Sequence, residues 1–292
     1  MSESERTASR TAVLVCQGRA AADGRFATDR FDDPVAVRLL RAAERTAVDE
    51  VRAGTPPQGW QARTAYESVR ACAEVVVPRT VAIDDALRAG VSGQLVILGA
   101  GLDTRAWRLV ALAATDVWEV DHPASQQDKR ARLTEAAPEA TARSIRFAPV
   151  DFATDDLGAA LDAAGHDPAL PTTWLWEGVV PYLTRDQIRA TLSALTARTA
   201  PGSTLVVNYQ SPSAKAAAGR LLTRLLGNAI TAGEPWRSLW TPAQMATLLA
   251  EHGLRVTSDT SLLTLAETLD SPARGRTSLK SGRVAVAVAE SG

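Results

Sequence analysis

A parallel α/β sheet is the fold class this sequence predicts, and three observations predict it. Short apolar runs alternate with helical patterns from about Gln94 onward, the βαβ rhythm of such a sheet. The first run, "QLVILGAGLDTRAWRL" (94–109), passes directly into Gly-Ala-Gly, as a strand feeding a ligand-binding turn should. Acidic residues then close three later runs: Asp121, Asp151 and Glu177.

The strands are expected at "QLVILG" (94–99), "DVWEVD" (116–121), "SIRFAPVD" (144–151) and "TTWLWE" (172–177), followed by "STLVVN" (203–208), "LRVTSDT" (254–260) and "RVAVAVA" (283–289). Between strands four and five lies "TRDQIRATLSALTART", a helix with Thr184 as N-cap and Pro201-Gly202 in the turn behind it. "TPAQMATLLAEHG" predicts a second, with Thr241 as cap, Pro242 at the first position and Gly253 past the end.

Two regions fall outside the rhythm. Residues 1–90 read as a helical region, in which "DDPVAVRLLRAAERTAVDEVRAG" has helical apolar spacing behind the cap pair Asp32 and Asp33. Residues 211–240 carry the amphipathic "SAKAAAGRLLTRLLGNAI" and then "GEPWRSLW". Segments added around the C-terminal edge of an open sheet cover the ligand crevice, so both regions are expected to form one cap over a domain spanning 91–292.

Bulk properties exclude several classes. The chain has 292 residues, 46% of them hydrophobic and 22% charged, with a net charge of −1, so no field steers it to nucleic acid or an anionic membrane. No apolar run approaches the roughly 20 residues of a membrane helix. "MSESERTASR" lacks an apolar core and reads as a frayed tail rather than a targeting signal. Only Cys16 and Cys72 occur, without metal-like spacing, which fits a reducing, cytoplasmic compartment. His122, His166 and His252 are too dispersed to suggest a metal site.

The glycine loop narrows the ligand. Gly99 and Gly101 let the backbone approach a ligand closely, but Thr104 stands where a dinucleotide fingerprint has its third glycine. Asp121, some 20 residues after the loop, suits a ribose diol, or else a strand-end turn. Asp151-Phe152 can take an adenine amino group and pack on its ring, or form another turn beside a core aromatic. Three acids at three strand ends converge on one crevice, which favours a nucleoside site.

These motifs carry a family resemblance. "VILGAGLDTRAWRL", "WEVDHPASQQDKR", "VDFATDD", "PTTWLWEGVVPYLT" and "GEPWRSLWTPAQMATLLAEHGL" resemble the leucine carboxyl methyltransferase-like family of S-adenosylmethionine-dependent enzymes, in particular its bacterial branch acting on small molecules. The resemblance implies the Rossmann-like, seven-stranded class I methyltransferase sheet with its last strand antiparallel. It also implies that Gly99, Ala100 and Gly101 approach the methionyl part of the cofactor, Asp121 the ribose, and Asp151 and Phe152 the adenine. Arg79, in "VVVPRTVAIDD", matches the arginine that pairs with the cofactor carboxylate, a bidentate task suited to a guanidinium. Where eukaryotic members carry Cys-Lys-Arg, this chain has Cys16-Gln17-Gly18-Arg19, so the missing lysine is either absent or replaced by Arg19.

Methyl transfer from a sulfonium is an in-line displacement, in which positioning of the acceptor oxygen dominates. A carboxylate is already ionised near neutrality, whereas a phenol or alcohol normally wants a base. No obvious base stands out apart from Glu177, which either meets the cofactor's amino end or acts as that base. Tyr182 and Tyr209 follow strands four and five and either line the acceptor pocket or pack. Trp236 and Trp240 either wall an acceptor or, for Trp240, staple the helix that follows. The expected activity is methyl-ester formation on a small molecule such as a secondary metabolite. The alternatives are O-methylation of a hydroxyl, cofactor binding without catalysis and, against the glycine pattern, an NAD-dependent oxidoreductase. The sequence leaves the oligomeric state open.

Overall fold

Each of the seven apolar runs forms a strand, and the strands lie side by side in the order β3-β2-β1-β4-β5-β7-β6. The computed structural model describes residues 9–212, 237–269 and 277–290. Residues 1–8 of the expected tail, most of the expected insertion and Trp236 lie outside the described residues.

The strands are β1 (Gln94–Leu98), β2 (Asp116–Asp121), β3 (Ser144–Pro149), β4 (Thr172–Trp176), β5 (Thr204–Gln210), β6 (Leu254–Ser261) and β7 (Gly282–Ala289). β1 pairs in parallel with β2 and β4, and β4 with β5. β7 slots between β5 and β6 and runs antiparallel to both, so the last strand is the reversed one. This is the class I methyltransferase arrangement. Every residue of β1 and β4 is buried, as the central strands of a sheet covered on both faces must be.

Alternation along the strands sorts the core into two layers. Leu95 and Ile97 face one, shared with Leu39, Val48, Val76 and Ile83 of the N-terminal helices. Val96 and Leu98 face the other, shared with Trp118, Trp174, Leu192 and Leu248. The helices of the first layer are α1 (Arg10–Ala22), α2 (Ala36–Leu39), α3 (Ala42–Ala53) and α4 (Trp60–Gly90). After β1 come α5 (Arg105–Arg108), α6 (Pro123–Ala136), α7 (Leu157–Ala163), α8 (Arg185–Thr196) and α9 (Pro242–Ala250).

The helical stretch expected behind Asp32 and Asp33 is broken in two. Asp33 Oδ1 accepts from the Ala36 N–H at 3.0 Å to start α2, but Leu40 turns extended. The Glu44 carboxylate accepts from the Arg41 N–H at 2.7 Å and restarts the helix as α3. The break leaves the Leu39 carbonyl free to accept from Arg132 Nη1 of α6 at 2.8 Å, and Leu39 and Leu40 are both buried beside it. Thr184 and Thr241 cap α8 and α9 through capping boxes with Gln187 and Gln244, and Pro242 opens α9. Among the described residues no helix is long and apolar enough to cross a membrane.

Candidate active site

The C-terminal ends of β1 to β4 open into a cavity of about 270 Å³ roofed by α1 and flanked by α4. Its floor is the glycine loop. Gly99 and Gly101 have φ of +67° and +48°, a region that side chains resist. Contacts reinforce the demand: a Cβ on Gly99 would lie 2.2 Å from Val179 Cγ2, and one on Gly101 would lie 3.1 Å from the Ala12 Cβ of α1. The loop is tied to the neighbouring strand, since Gly99 and Ala100 donate to the Val120 carbonyl at 2.8 and 3.1 Å.

Asp121 ends β2 and lines the cavity. Its carboxylate accepts from the Gly101 N–H at 2.5 Å and from the His122 N–H at 2.6 Å. Burial raises its pKa in spite of those two donors. One carboxylate therefore both faces the cavity and fixes the loop. Ser125 and Phe152 line the same side. Asp151 does not line the cavity: its Oδ1 closes a turn with the Ala153 N–H at 2.9 Å, and its side chain is 40% exposed at the rim. His122 is a half-exposed N-cap of α6 whose Nδ1 accepts from the Ala124 N–H at 3.2 Å.

The opposite wall is charged. Arg79 sits inside α4, one residue after Pro78, and donates from Nε to Glu177 Oε1 at 2.6 Å. Arg105 donates to the other oxygen, Oε2, at 2.8 Å. Burial alone would push the Glu177 pKa up, but the guanidiniums of Arg105, Arg79 and Arg19 outweigh it and hold the carboxyl well below the usual range. Glu177 is thus a fixed anion. A group so hard to protonate is poorly matched to general-base work. Arg19, in the last turn of α1, reaches the cavity while pairing with Asp33 Oδ2 at 2.9 Å and donating to the Leu102 carbonyl at 2.5 Å. Tyr182, on the short 3₁₀ turn Val180–Tyr182, lines the mouth.

Two aromatic candidates go elsewhere. Tyr209 does not line this cavity: it is fully buried in the second layer, and its hydroxyl donates to Asp259 Oδ2 at 2.5 Å. Burial first, then Asp259, drives its pKa upward, so it offers no ready phenolate. Trp240 is also buried in that layer, beneath the Arg185 guanidinium at 4.1 Å from the ring centroid, and does not line this cavity.

Sequence reasoning missed a buried ionic layer beneath the site. Arg105 pairs with Asp84 of α4 (2.6 Å) and with Asp103, and Arg108 pairs with Asp84 (2.7 Å). Lys129 of α6 pairs with Glu119 of β2 at 2.5 Å and donates to the Asp103 carbonyl at 2.8 Å. One signal was available: Glu119 and Asp84 are charges embedded in apolar patterns. Ala12 and Val15 of α1 also line the cavity, and nothing in their local sequence points there.

Comparison with known proteins identifies the family. A family model described as leucine carboxyl methyltransferase matches residues 12–196, a segment that includes every cavity-lining residue except Ser9 and Thr11. A provisionally assigned S-adenosyl-L-methionine-dependent methyltransferase of Mycobacterium avium (strain 104) is 37% identical over 205 residues, 68% of this chain and 66% of that protein. A similarly assigned protein of Mycolicibacterium paratuberculosis is 42% identical over 184 residues, 60% of this chain and 56% of that one. The match thus spans about two thirds of the first relative's length and little more than half of the second's. Among solved structures, a provisionally assigned methyltransferase from Thermobifida fusca YX has a TM-score of 0.54 at 20% identity, covering 80% of this chain and 90% of that one. A DUF574 family protein from Streptomyces avermitilis has a TM-score of 0.57 at 15% identity, covering 97% and 98%. These two share the fold. By the extent of the family match, this chain belongs to the leucine carboxyl methyltransferase family.

Proposed function

We propose that the protein is an S-adenosyl-L-methionine-dependent methyltransferase that esterifies a carboxylate of a small molecule. The observation that carries the reading is the Arg79–Glu177 pair on the cavity wall, at 2.6 Å. A guanidinium and a carboxylate side by side are complementary to the carboxylate and ammonium of an α-amino acid end. Across the cleft, the Asp121 carboxylate is complementary to a ribose diol and Phe152 to a purine face.

The cavity fits such a group in a second respect. The two positive-φ glycines leave a cradle that a Cβ would fill, and Asp121 already holds that cradle in place. When bound, this cofactor supplies a sulfonium-activated methyl group. Arg79 would donate to its carboxylate, with the Arg19 charge behind it, and Glu177 would accept from its ammonium. Asp121 would accept from the ribose hydroxyls. Asp151, at the rim, would reach only the outer edge of the adenine.

The acceptor class follows from proton chemistry. Glu177 is pinned as an anion, and neither His122 nor Tyr209 lines the cavity. An acceptor that arrives already ionised needs no base, and a carboxylic acid with a pKa of about 4 does so at neutral pH. The chain's part is then to hold the acceptor oxygen in line and exclude water, with Tyr182 and the hydrophobic Val179 at the mouth. In this reading the described helices of the N-terminal region cap the cleft, the two free cysteines fit a cytoplasmic enzyme, and the substrate is a small acid such as a secondary metabolite.

Calorimetry with S-adenosylmethionine and with NAD tests the cofactor; binding of NAD alone would sink the proposal. Single-turnover rates with a carboxylic acceptor should be nearly flat from about pH 6 to 9. A steep rise with pH, or a product that survives mild alkaline hydrolysis, would shift the reading to a hydroxyl acceptor.

A further inference from the structure

Arg105 stands at a junction that cavity-facing residues do not explain. It is 1% exposed and does not line the cavity, yet it joins three separate elements of the site. Its Nε meets Asp84 Oδ1 on α4 at 2.6 Å. Its Nη1 meets Glu177 Oε2 beyond β4 at 2.8 Å and Asp103 Oδ2 in the glycine loop. Asp103 turns back to cap α5, accepting from the Arg105 N–H at 2.8 Å.

Stability alone is a weak reason for this arrangement. Burying an ionic cluster gains little over apolar side chains of the same volume, and it leaves Arg105 Nη2 buried with no hydrogen-bond partner among the described residues. Geometry is a better reason. Asp84 lies five residues after Arg79 on the same helix, so a guanidinium clamped to Asp84 and Glu177 together fixes the distance between that helix and the end of β4. That distance is the spacing of Arg79 and Glu177.

We propose that Arg105 is a positioning residue, which touches no ligand and sets the spacing of Arg79 and Glu177 so that the pair matches an α-amino acid end. The identity of that ligand as an S-adenosyl cofactor rests on the function proposed above; the positioning itself does not. Glu177 is faced by Arg79 from α4, Arg19 from α1 and Arg105 from α5, with Asp103 of the loop paired to Arg105 behind it. Arg105 supplies the largest of the opposing positive influences on it.

Arg105→Lys in the full chain is the test, since an ammonium keeps the charge but cannot fork to three carboxylates. In the ligand-free protein, labelled glutamate carboxyls are titrated by NMR, the Glu177 signal being assigned by its loss in Glu177→Gln. Glu177 should stay ionised to the lowest pH at which the parent remains folded, whereas in Arg105→Lys its titration should rise into the range where the variant is still folded. S-adenosylhomocysteine, measured by calorimetry, should bind about tenfold more weakly. A lowered Tm with an unchanged Glu177 titration and an unchanged Kd would reduce Arg105 to a structural role and overturn the proposal. If Arg105→Lys does not fold, Asp84→Asn, isosteric and remote from the cavity, should still shift the Glu177 carboxyl resonance and weaken S-adenosylhomocysteine. The absence of both changes would equally overturn the proposal. A parent that fails to bind S-adenosylhomocysteine while Glu177 responds to Arg105→Lys would remove the cofactor reading and leave the positioning role standing.

Discussion

The two edges of the sheet bury polar groups by opposite means. At the C-terminal edge the buried groups are ions: Arg105, Asp84, Asp103 and Glu177, with Lys129 on Glu119 behind them. At the N-terminal edge they are mostly neutral. Gln94 exchanges two hydrogen bonds with Asp167, at 2.8 and 3.0 Å, Thr172 donates to Ser203 Oγ at 2.9 Å, and His166 Nε2 sits 2.9 Å from Thr172 Oγ1. The charged pairs there open to solvent: Arg198 with Asp162 at 2.7 Å through an Asp162 that is 63% exposed, and Asp116 with Arg143 at 2.5 Å through an Arg143 that is 55% exposed. Closing strand ends requires only satisfied hydrogen bonds, and neutral groups do that at less desolvation cost. Charge is buried where the strand ends face a cleft, which is where an open α/β sheet binds its ligand.

The largest expected effect breaks this comparison or upholds it. Arg105→Met takes the ion partner of Asp103 and one of the two guanidiniums on each of Asp84 and Glu177, which keep Arg108 and Arg79, and should cost about 3–5 kcal/mol in urea unfolding at neutral pH. Gln94→Met at the other edge removes neutral partners only and should cost about 1–3 kcal/mol. Equal losses would mean that the ionic edge is not energetically distinct.

The edges should also separate by pH. Burial, aided by Arg198, lowers the His166 pKa from 6.5 to about 4. The unfolded chain therefore binds the proton more readily, so this contribution is complete above pH 6.5 and is lost as pH falls toward about 4. At 1.36 kcal/mol per unit its full size is roughly 3 kcal/mol. Glu119 acts in the opposite sense: burial raises its pKa from 4.5 to about 7, so its contribution is lost as pH rises through that range. The clean observable is the difference between His166→Gln and the parent, whose stability gap should narrow as pH falls from 6.5 to 4. A constant gap would show that His166 is not held neutral. The Glu177 contribution, in contrast, is present above its ordinary 4.5 and lost only as pH falls below it.

How much of this was legible in the sequence differs between the same two edges. Strand ends, caps and the glycine loop are local patterns, so the seven runs and the caps Thr184 and Thr241 could be read directly. The ionic layer is not local. Asp84 meets Arg105 across 21 residues and Glu177 meets it across 72, so Asp84 can be read as a charge in an apolar pattern and Glu177 as a strand-end acid, but not that one arginine joins them. The break at Leu40 escaped for the same reason: the Leu39 carbonyl is taken by Arg132, 93 residues away, rather than by the helix. Tyr209 was misdirected by its place at a strand end; the partner that takes its hydroxyl, Asp259, lies on β6, two strands away.

A smaller effect sharpens the account of the ionic edge. Asp121→Asn retains one acceptor oxygen but cannot accept from both the Gly101 and His122 amides and still serve a ribose. S-adenosylhomocysteine binding should weaken by about 1–3 kcal/mol by calorimetry. Some loss of Tm should accompany it, because the side chain holds the loop as well as the ligand. Unchanged binding with a lowered Tm would make Asp121 a loop anchor alone.

The smallest effect concerns the boundary between site and scaffold. Tyr209 lies on β5 close to the cleft edge, yet its hydroxyl is committed to Asp259, which Arg283 also holds at 2.8 Å. Tyr209→Phe keeps the ring that fills the second core layer and deletes only that donor. Asp259 keeps its guanidinium partner, so no carboxylate is stranded, and the loss should be about 1 kcal/mol, the net value of one hydrogen bond. With a cognate acceptor in hand, kcat and KM should stay within about twofold of the parent, because a change of that size is well under 1 kcal/mol in transition-state binding. A fall in kcat of tenfold or more at unaltered Tm would mean that the phenol leaves Asp259 and reaches the acceptor during turnover. Charge at this edge would then serve to hold a tyrosine in reserve, and the line between the reactive cleft and the neutral scaffold would have to be redrawn to include β6.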